Sequence, residues 1–459
     1  MSFDEILQGI MCFFQQVSHF YFLIFLKKFS FPIIISKFAR INILKMFFYT
    51  LGIKTYNLAA RVIAPFNNKA RLYTEGRNRL FEDLKENVKP TDKNVWFHVS
   101  SLGEFEQGRP VIEKFRAAHP DHKIILTFFS PSGYEVRKNY NGADYVCYMP
   151  ADTPDNAKKF LDIVNPKAVF FVKYDFWYNF LSEVHQRQIP LYIFSTIFRE
   201  GQVFFRWYGK KYRKVLSFFT HIFVQDDNSV KLLKNIGIEN VTIAGDTRFD
   251  RVCEITRNAK PIPVVDNFVG ESRVIVAGSS WPPDENIIFG ALRRLEGKHN
   301  VKLIIAPHEI HEGHLAAIEK MLGDILSIRF SKADGNTVAD RKVLIIDNFG
   351  MLSSLYKYAE IAYVGGGFGS GIHNILEAVS YSIPVAFGTN YKRFKEAVDL
   401  VSLGAAATVR NEEELYSVLD RYLSDSVLLK RAGQVSREYV EKNLGAADKI
   451  LSVVELQSQ

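Results

Sequence analysis

From residue 94 onward, short apolar runs rich in β-branched and aromatic residues alternate with longer segments of helical periodicity. Such alternation is typical of the βαβ units that build a parallel sheet. A first series predicts strands at 95–99, 123–129, 168–173, 191–195, 221–225 and 241–244, with helices such as 155–164 and 227–236 between them. A second series predicts strands at 273–277, 301–306, 342–346, 361–364, 384–387 and 405–409.

A stretch with two prolines and no helical period, KPIPVVDN at 260–267, separates the two series and predicts a linker. We therefore predict an α/β fold with two doubly wound, Rossmann-like domains, at 67–260 and 261–440. We expect them to face each other across a cleft, because ligands of such sheets bind at the carboxyl ends of the strands. A C-terminal helix at 441–459 is expected to cross back to the first domain.

The first 66 residues contain three apolar runs, at 10–26, 29–35 and 46–66. None is a clean span, since a membrane-crossing helix needs about 20 mostly apolar residues. Lys27 and Lys28 follow the first run rather than precede it, which disfavours a signal peptide. We expect a helical, membrane-associated segment on the cytoplasmic side, lying on the bilayer or spanning it once. A buried helical hairpin is the alternative, and residues 1–45 are either an extension or a misassigned start.

The charge distribution supports this expectation. The formal net charge is +8, yet nine Lys and Arg residues stand against two acidic residues up to Arg71, so the rest of the chain is nearly neutral. A basic, apolar N-terminal segment suits an anionic membrane surface, whereas a neutral body disfavours nucleic acid as a partner. The aromatic and basic stretch 204–219 is read as an amphipathic helix, with lipid or nucleic-acid contact as alternatives.

Cysteine usage excludes some classes of site. The three cysteines are widely spaced and form no CxxC pair, so neither a disulfide framework nor a thiolate metal site is indicated, and a reducing compartment is expected. His308, His311 and His314 do not share one helical face and form no HExxH motif, so no metal is expected there.

The densest chemical signal is GGGFGSGIHNILE at 365–377, directly after a predicted strand. Glycines allow backbone N–H groups to approach a phosphate, and we expect a helix to open here with His373 and Asn374 in its first turn. Glu377 is placed to accept from ribose hydroxyls. The glycines match neither GxGxxG nor a P-loop, and a tight turn capped by Asn374 is the alternative.

The first domain has two comparable junctions between a strand and a helix. In HVSSLGE at 98–104, Glu104 is placed to take a proton from a substrate hydroxyl, or with Ser101 to complete a helix cap. In SPSG at 130–133, Ser130 and Ser132 either bind an anionic group or cap a helix that begins at Pro131.

Six motifs in this order resemble a known family: HVSSLGE, SPSG, GDTRFD, GSSWPPDE, DNFGML and GGGFGSGIHNILEA. From about residue 46 to 440, the chain is similar to the 3-deoxy-D-manno-octulosonic acid (Kdo) transferases of lipopolysaccharide synthesis. The resemblance implies a GT-B fold and an N-terminal membrane anchor at the bacterial inner membrane. It also implies an inverting transfer of Kdo from CMP-Kdo to a lipid A precursor, with no metal or other cofactor.

The resemblance assigns roles to matching positions. Glu104 matches the catalytic carboxylate of an S-x-G-E motif, and Arg248, where the family usually has Lys, is expected to stabilise the leaving anion. The first domain is then expected to bind the acceptor, through Ser130, Ser132 and Asp175. The second is expected to bind the donor, through Ser279, Ser280, Pro307, His308, Gly350, Gly365, Gly366, His373, Asn374 and Glu377.

Three segments depart from the family pattern. KYDFW at 173–177 replaces E-x-E-x-W, STI at 195–197 replaces N-x-R, and PHE at 307–309 replaces P-R-H. Two of the three lie in the first domain, so the acceptor contacts differ more than the donor site. Two alternative functions stay open: a GT-B transferase that uses a UDP-sugar and a lipid-linked acceptor, and a catalytically silent membrane protein that binds a sugar nucleotide.

Overall fold

The computed structural model describes residues 34–335 and 337–456, with side chains for all of these except 34–48 and 211. Contacts divide this part of the chain into two compact units. Unit 1 holds the described residues up to Thr247 and again from Ala447 onward, and unit 2 holds Arg248–Ala446. The C-terminal residues therefore return to unit 1, as the sequence suggested.

Unit 1 is built on one parallel sheet of seven strands. Their order is β3-β2-β1-β4-β5-β6-β7, and all six residues of β1 are buried, because helices cover both faces of the sheet. The strands are β1 (Asn94–Val99), β2 (Lys123–Phe128), β3 (Tyr145–Tyr148), β4 (Val169–Val172), β5 (Leu191–Thr196), β6 (His221–Val224) and β7 (Val241–Ile243). The helices are α1 (Ile34–Ile63), α2 (Asn68–Glu75), α3 (Leu80–Asn87), α4 (Leu102–Ala118), α5 (Pro131–Arg137), α6 (Pro154–Val164), α7 (Tyr178–Gln186), α8 (Arg213–Leu216) and α9 (Asp227–Lys234).

Unit 2 repeats this architecture with a second parallel sheet, in the order β10-β11-β9-β8-β12-β13-β14. Its strands are β8 (Arg273–Ser280), β9 (Val301–Pro307), β10 (Ser327–Arg329), β11 (Val343–Ile345), β12 (Ile361–Val364), β13 (Val385–Phe387) and β14 (Ala406–Thr408). Its helices are α10 (Thr247–Asn258), α11 (Pro263–Val269), α12 (Pro282–Leu295), α13 (Glu312–Leu322), α14 (Leu352–Leu355), α15 (Leu376–Val379), α16 (Lys395–Leu403), α17 (Glu412–Ser424) and α18 (Ser426–Lys442). The next helix, α19 (Ala446–Leu451), belongs to unit 1 from Ala447 onward.

The N-terminal helices are attached to unit 1 by buried polar contacts. Tyr49 of α1 donates to Asp152 Oδ2 at 2.6 Å. The guanidinium of Arg77 donates to the carbonyl oxygens of Met149, Tyr73 and Phe129 at 2.8–2.9 Å. Because Phe129 and Met149 directly follow β2 and β3, Arg77 ties the N-terminal helices to the carboxyl edge of the sheet.

The predicted membrane segment is only partly covered by the structure. The run 46–66 falls mostly in α1, whereas the run 10–26 and most of the run 29–35 lie outside the described residues. Among the helices that the structure describes, none has the length and apolarity needed to cross a bilayer.

The predicted α/β class with two doubly wound sheets is confirmed, and all twelve predicted strands are present. The sequence did not predict β3 and β10, because both are short edge strands that are only partly buried and so lack a clear apolar run. Two local predictions are wrong. The predicted linker at 260–267 contains the start of α11, since Pro263 sits at its first turn and Val265 and Phe268 are buried.

The second wrong prediction is the amphipathic helix at 204–219. The chain there forms two 3₁₀ turns and the four-residue helix α8. The aromatic residues do not share one face, because Phe204, Phe218 and Phe219 are buried in unit 1 while Trp207 is 89% exposed.

We expect Arg77→Lys to destabilise unit 1 by about 3 kcal/mol, because an ammonium cannot reach three carbonyl oxygens in the fork geometry of a guanidinium. Chemical denaturation of the purified chain measures the loss. Arg79→Lys is the matched control, since its side chain is 71% exposed, and it should change stability by less than about 0.5 kcal/mol. Equal effects of the two variants would contradict this role of Arg77.

Candidate functional site

The carboxyl edge of the unit 1 sheet brings together residues from three loops. Ser100 follows β1, Ser130 follows β2 and Lys173 follows β4, and these three strands are neighbours. The backbone N–H of Ser130 donates to the carbonyl oxygen of Ser100 at 2.8 Å. The SSLGE and SPSG motifs therefore lie side by side, as expected for a ligand site of a parallel sheet.

Glu104 is held by the loop that precedes it. Its Oε2 accepts from the backbone N–H of Ser100 at 2.6 Å and of Ser101 at 3.2 Å. Ser101 Oγ accepts in turn from the Glu104 N–H at 3.4 Å, which completes a capping box at the start of α4. The capping interpretation of this motif is therefore confirmed, whereas the role of Glu104 as a base stays a prediction. Among the described residues none donates to Oε1, so this oxygen is open to a ligand.

A second carboxyl, that of Asp175, lies beside Glu104. Ser100 Oγ donates to Asp175 Oδ1 at 2.7 Å, so one serine holds both acids, through its N–H and its hydroxyl. Asp175 Oδ2 is buried, 3.5 Å from His98 Nε2. Ser132, by contrast, is exposed and hydrogen bonds to Ser130 Oγ at 3.0 Å, consistent with a helix cap at α5.

Burial and the proximity of two acids set the protonation of this site. Burial raises the pKa of Glu104, while Lys173 and the two N–H donors oppose the rise. Burial and the charge of Glu104 raise the pKa of Asp175 well above its ordinary range. Since two neighbouring carboxyls do not both ionise readily, a shared proton is favoured on Asp175, whose pKa is raised more strongly, and the charge is favoured on Glu104. Burial also lowers the pKa of His98 to about 3, so its ring is neutral.

The unit 2 sheet has a second site at its carboxyl edge, where the loops after β8 and β12 are in contact. A Cβ at Gly365 would lie 2.3 Å from the carbonyl oxygen of Ser279, so only glycine fits there. Gly366 has a φ of 90° and Ser279 a φ of 53°. This close backbone approach brings Ser279 and Ser280 together with the glycine-rich segment; their assignment to a donor site stays a prediction.

Two buried carboxyls that the sequence analysis missed fix this geometry. Asp284 Oδ2 accepts from the N–H of Trp281 at 3.0 Å and of Gly366 at 2.9 Å, and its Oδ1 accepts from the Tyr363 hydroxyl. Glu285 Oε1 accepts from Ser280 Oγ at 3.0 Å. Burial raises the pKa of both acids. The available signal was WPPDE at 281–285, which looks like an ordinary helix start.

Two aromatic side chains, those of Trp281 and His308, pack around His373. The rings of Trp281 and His373 are nearly coplanar, at 12°, and the indole N–H donates to His373 Nε2 at 2.9 Å. His308 stacks on both, with ring centroids 4.8 Å from Trp281 and 4.2 Å from His373. His308, which follows Pro307 at the end of β9, is exposed and forms the outer face of this cluster.

The glycine-rich segment does not open a helix where the sequence predicted one. Helix α15 begins only at Leu376 and has four residues, so His373 and Asn374 precede it rather than form its first turn. The segment follows β12 in an irregular path because its glycines pack against neighbouring backbone. Asn374 precedes Ile375, the N-cap residue; its Oδ1 accepts from the Leu376 N–H at 3.2 Å and its Nδ2 donates to Glu377 Oε1 at 3.0 Å.

The remaining predicted residues have other surroundings. Arg248 lies 3.1 Å from Glu396 within unit 2, so its charge is balanced by a buried carboxyl. Gly350 is exposed with a φ of 90°, in the turn after Ile346. The roles assigned to these two residues stay predictions.

The histidine trio at 308–314 is dispersed. His311 caps α13, and His314 is buried with Nε2 3.0 Å from Glu285. In the part of the chain that the structure describes, no group of three or more His, Cys, Asp or Glu side chains is arranged to hold a metal ion.

Comparisons with known proteins relate the sequence of this chain to a family. Residues 74–251 match the family model described as 3-deoxy-D-manno-octulosonic-acid transferase (kdotransferase). The chain is 28% identical over 368 residues to a 3-deoxy-D-manno-octulosonic acid transferase of Aquifex aeolicus, covering 78% of this chain and 95% of that protein. It is 24% identical to the protein of the same name from Haemophilus influenzae, covering 80% and 87%.

Solved structures agree on the fold. The UDP-GlcNAc 2-epimerase from Neisseria meningitidis bound to UDP-GlcNAc superposes with a TM-score of 0.57 at 16% identity, covering 78% of this chain and 98% of that one. This likeness concerns the fold alone, and with the two parallel sheets it confirms the predicted GT-B-like class.

The proton on Asp175 predicts a pH dependence of stability. A buried acid with a raised pKa binds its proton more tightly in the folded state, so folding loses free energy as pH rises above the ordinary Asp value of about 4. The stability of wild type relative to Asp175→Asn should fall by up to about 1.4 kcal/mol per pH unit there. Denaturant unfolding at several pH values measures it. Asp155→Asn, which removes an exposed carboxyl of the same unit, should show no such slope; a flat difference for Asp175→Asn would contradict the assignment.

Proposed function

Since the chain belongs to the Kdo transferase family and is thus a glycosyltransferase of lipopolysaccharide synthesis, we propose that it transfers Kdo from CMP-Kdo to a lipid A precursor, with Glu104 as the general base. One observation carries the proposal: Glu104 is fixed through Oε2 by two backbone N–H groups, while Oε1 is open. A carboxylate held in this way is oriented by neutral backbone donors.

The proposed chemistry is a single displacement. Glu104 Oε1 accepts the proton of an acceptor sugar hydroxyl, and the hydroxyl oxygen forms the new bond to the anomeric carbon of Kdo. The bond from that carbon to the phosphate oxygen breaks, and CMP leaves with the electron pair. Only one ionised carboxylate is needed, which agrees with a proton on Asp175. The displacement inverts the configuration at the anomeric carbon.

Unit 2 is proposed to bind the CMP part of the donor. The support is the position of the glycine-rich segment, which packs closely against Ser279 and Ser280 at the carboxyl edge of the sheet, where doubly wound sheets bind their ligands. His373 adds a ring donor at the same place. A neutral donor set of this kind stabilises the negative charge that grows on the leaving phosphate.

The departure at 173–177 fits the same proposal. Lys173 contributes a positive charge that lowers the pKa of both Glu104 and Asp175. It thereby keeps a second buried acid compatible with an ionised Glu104. Lys173 stands where the family has a carboxylate. We propose that its positive charge offsets the negative charge of the site.

We also propose that the chain acts at the cytoplasmic face of the bacterial inner membrane, because a lipid acceptor keeps its acyl chains in the bilayer. Leu51, Leu58 and Val62 on α1, followed by Phe66, expose 45–90% of their surface, beside exposed Lys54 and Arg61. Apolar side chains flanked by basic ones are typical of helices that lie on anionic membranes.

We expect Glu104→Gln to lower kcat by at least about 100-fold, because the amide accepts no proton although it keeps the size of the side chain. The assay is acceptor-dependent release of CMP from CMP-Kdo with a tetra-acylated lipid A precursor. Glu106→Gln on the same helix, which weakens an ion pair with Arg137, is the matched control and should stay within about threefold of wild type. Full turnover by Glu104→Gln would contradict the base assignment.

Membrane binding is tested by flotation with vesicles that contain anionic lipid. The double variant Leu58→Asp, Val62→Asp should bind such vesicles at least about tenfold more weakly than wild type, since it replaces two exposed apolar side chains by negative charges. The control Leu403→Asp changes an exposed leucine of unit 2 and should float like wild type. Unchanged flotation of the double variant would argue against α1 as a membrane contact.

A further inference from the structure

The hydrogen bond between Trp281 and His373 fixes the position of a proton. An indole N–H is a donor only, so His373 Nε2, which receives it at 2.9 Å, carries a lone pair. In a neutral imidazole the proton then resides on Nδ1. The tautomer of His373 therefore follows from the identity of its neighbour.

The surroundings of the ring also keep it neutral. Burial, and secondarily the adjacent His308, lower the pKa of His373 to about 4. His308 stacks on His373 with a centroid distance of 4.2 Å, so a charged ring would lie against a second imidazole. At neutral pH, His373 is thus an uncharged donor rather than a cation.

The Nδ1 side of the ring is available to a ligand. In the described chain no group accepts from Nδ1, whereas the His373 backbone N–H is fixed by the carbonyl oxygen of Gly365 at 3.1 Å. A Cβ at Gly366 would lie 2.9 Å from the His373 ring, so this glycine allows the ring its place beside the loop. The Nδ1–H group of His373 is therefore positioned by the backbone, by Trp281 and by the stacked His308.

We propose that Trp281 is a positioning residue that holds His373 in the Nδ1–H tautomer, so that Nδ1 donates to a phosphate oxygen of the nucleotide. The ligand class is a nucleoside monophosphate or its sugar ester, and the inference rests on the proposed function. A neutral donor binds the phosphate without giving it a proton, so the leaving group departs as an anion. Trp281 was not among the residues expected to bind the donor from sequence.

The tautomer is read directly by NMR of the full chain labelled with ¹⁵N-histidine, which distinguishes protonated from unprotonated ring nitrogens. The signal that disappears in His373→Asn assigns the residue among the 11 histidines. We expect wild type at neutral pH to show Nδ1 protonated and Nε2 unprotonated. Trp281→Phe, which keeps an aromatic ring but removes the indole N–H, should show a mixture of tautomers. A wild-type proton on Nε2, or a doubly protonated ring, overturns the proposal.

The phosphate contact is read by calorimetric titration with CMP. His373→Phe should raise the Kd for CMP on the order of tenfold or more, since it removes a donor to a charged group, and Trp281→Phe should raise it by a smaller factor. His373→Asn, whose amide offers a donor near the Nδ1 position, should bind more tightly than His373→Phe. Unchanged CMP affinity in both His373 variants overturns the phosphate role.

The two readouts separate this inference from the proposed function. A wild-type chain with the Nδ1–H tautomer but no affinity for CMP contradicts the proposed donor, and with it the phosphate contact. CMP binding that is indifferent to Trp281 and His373 contradicts the inference and leaves the proposed function intact.

Discussion

The central interaction of the site is the contact of one serine, Ser100, with two acidic side chains. Ser100 donates its backbone N–H to Glu104 and its hydroxyl to Asp175, at 2.6 and 2.7 Å. Two buried carboxyls so close together disfavour two negative charges, so the pKa of Asp175 is raised and the proton is favoured there. The positive charge of Lys173 reduces the free-energy cost of the remaining buried negative charge. The result is a single ionised carboxylate whose free oxygen is open to a ligand, at the edge of a rigid parallel sheet.

In unit 2 a buried carboxylate also accepts from backbone N–H groups, and there it joins two loops. Asp284 joins the loops after β8 and β12 by accepting from the N–H groups of Trp281 and Gly366. The same carboxylate caps α12, so helix stability and loop geometry share one buried acid. Because each of its oxygens has a partner, its burial is compatible with a stable fold. The aromatic cluster around His373 is placed by this arrangement, since Trp281 begins the helix that Asp284 caps.

Much of the fold follows from local sequence, and part of the site does not. Buried parallel strands such as β1 and β9 consist mostly of apolar residues, so their positions are visible in the sequence. Glu104 is visible because SSLGE is a local capping motif. The protonation of Asp175 is not visible, since it depends on Glu104 in another loop. The path of the glycine-rich segment is set by tertiary contacts such as that of Gly365 with Ser279, which is why the helix begins later than the local pattern predicts.

The pH dependence of kcat/KM for Kdo transfer by the wild-type chain tests the central claim most directly. A base must be ionised to act, so activity should be lost as pH falls through the pKa of Glu104. Because burial raises that pKa, the loss should occur above the ordinary glutamate value of about 4.3, with the slope of a single proton. An acid limb at or below the ordinary value, or a rate that does not change with pH across this range, would contradict the account.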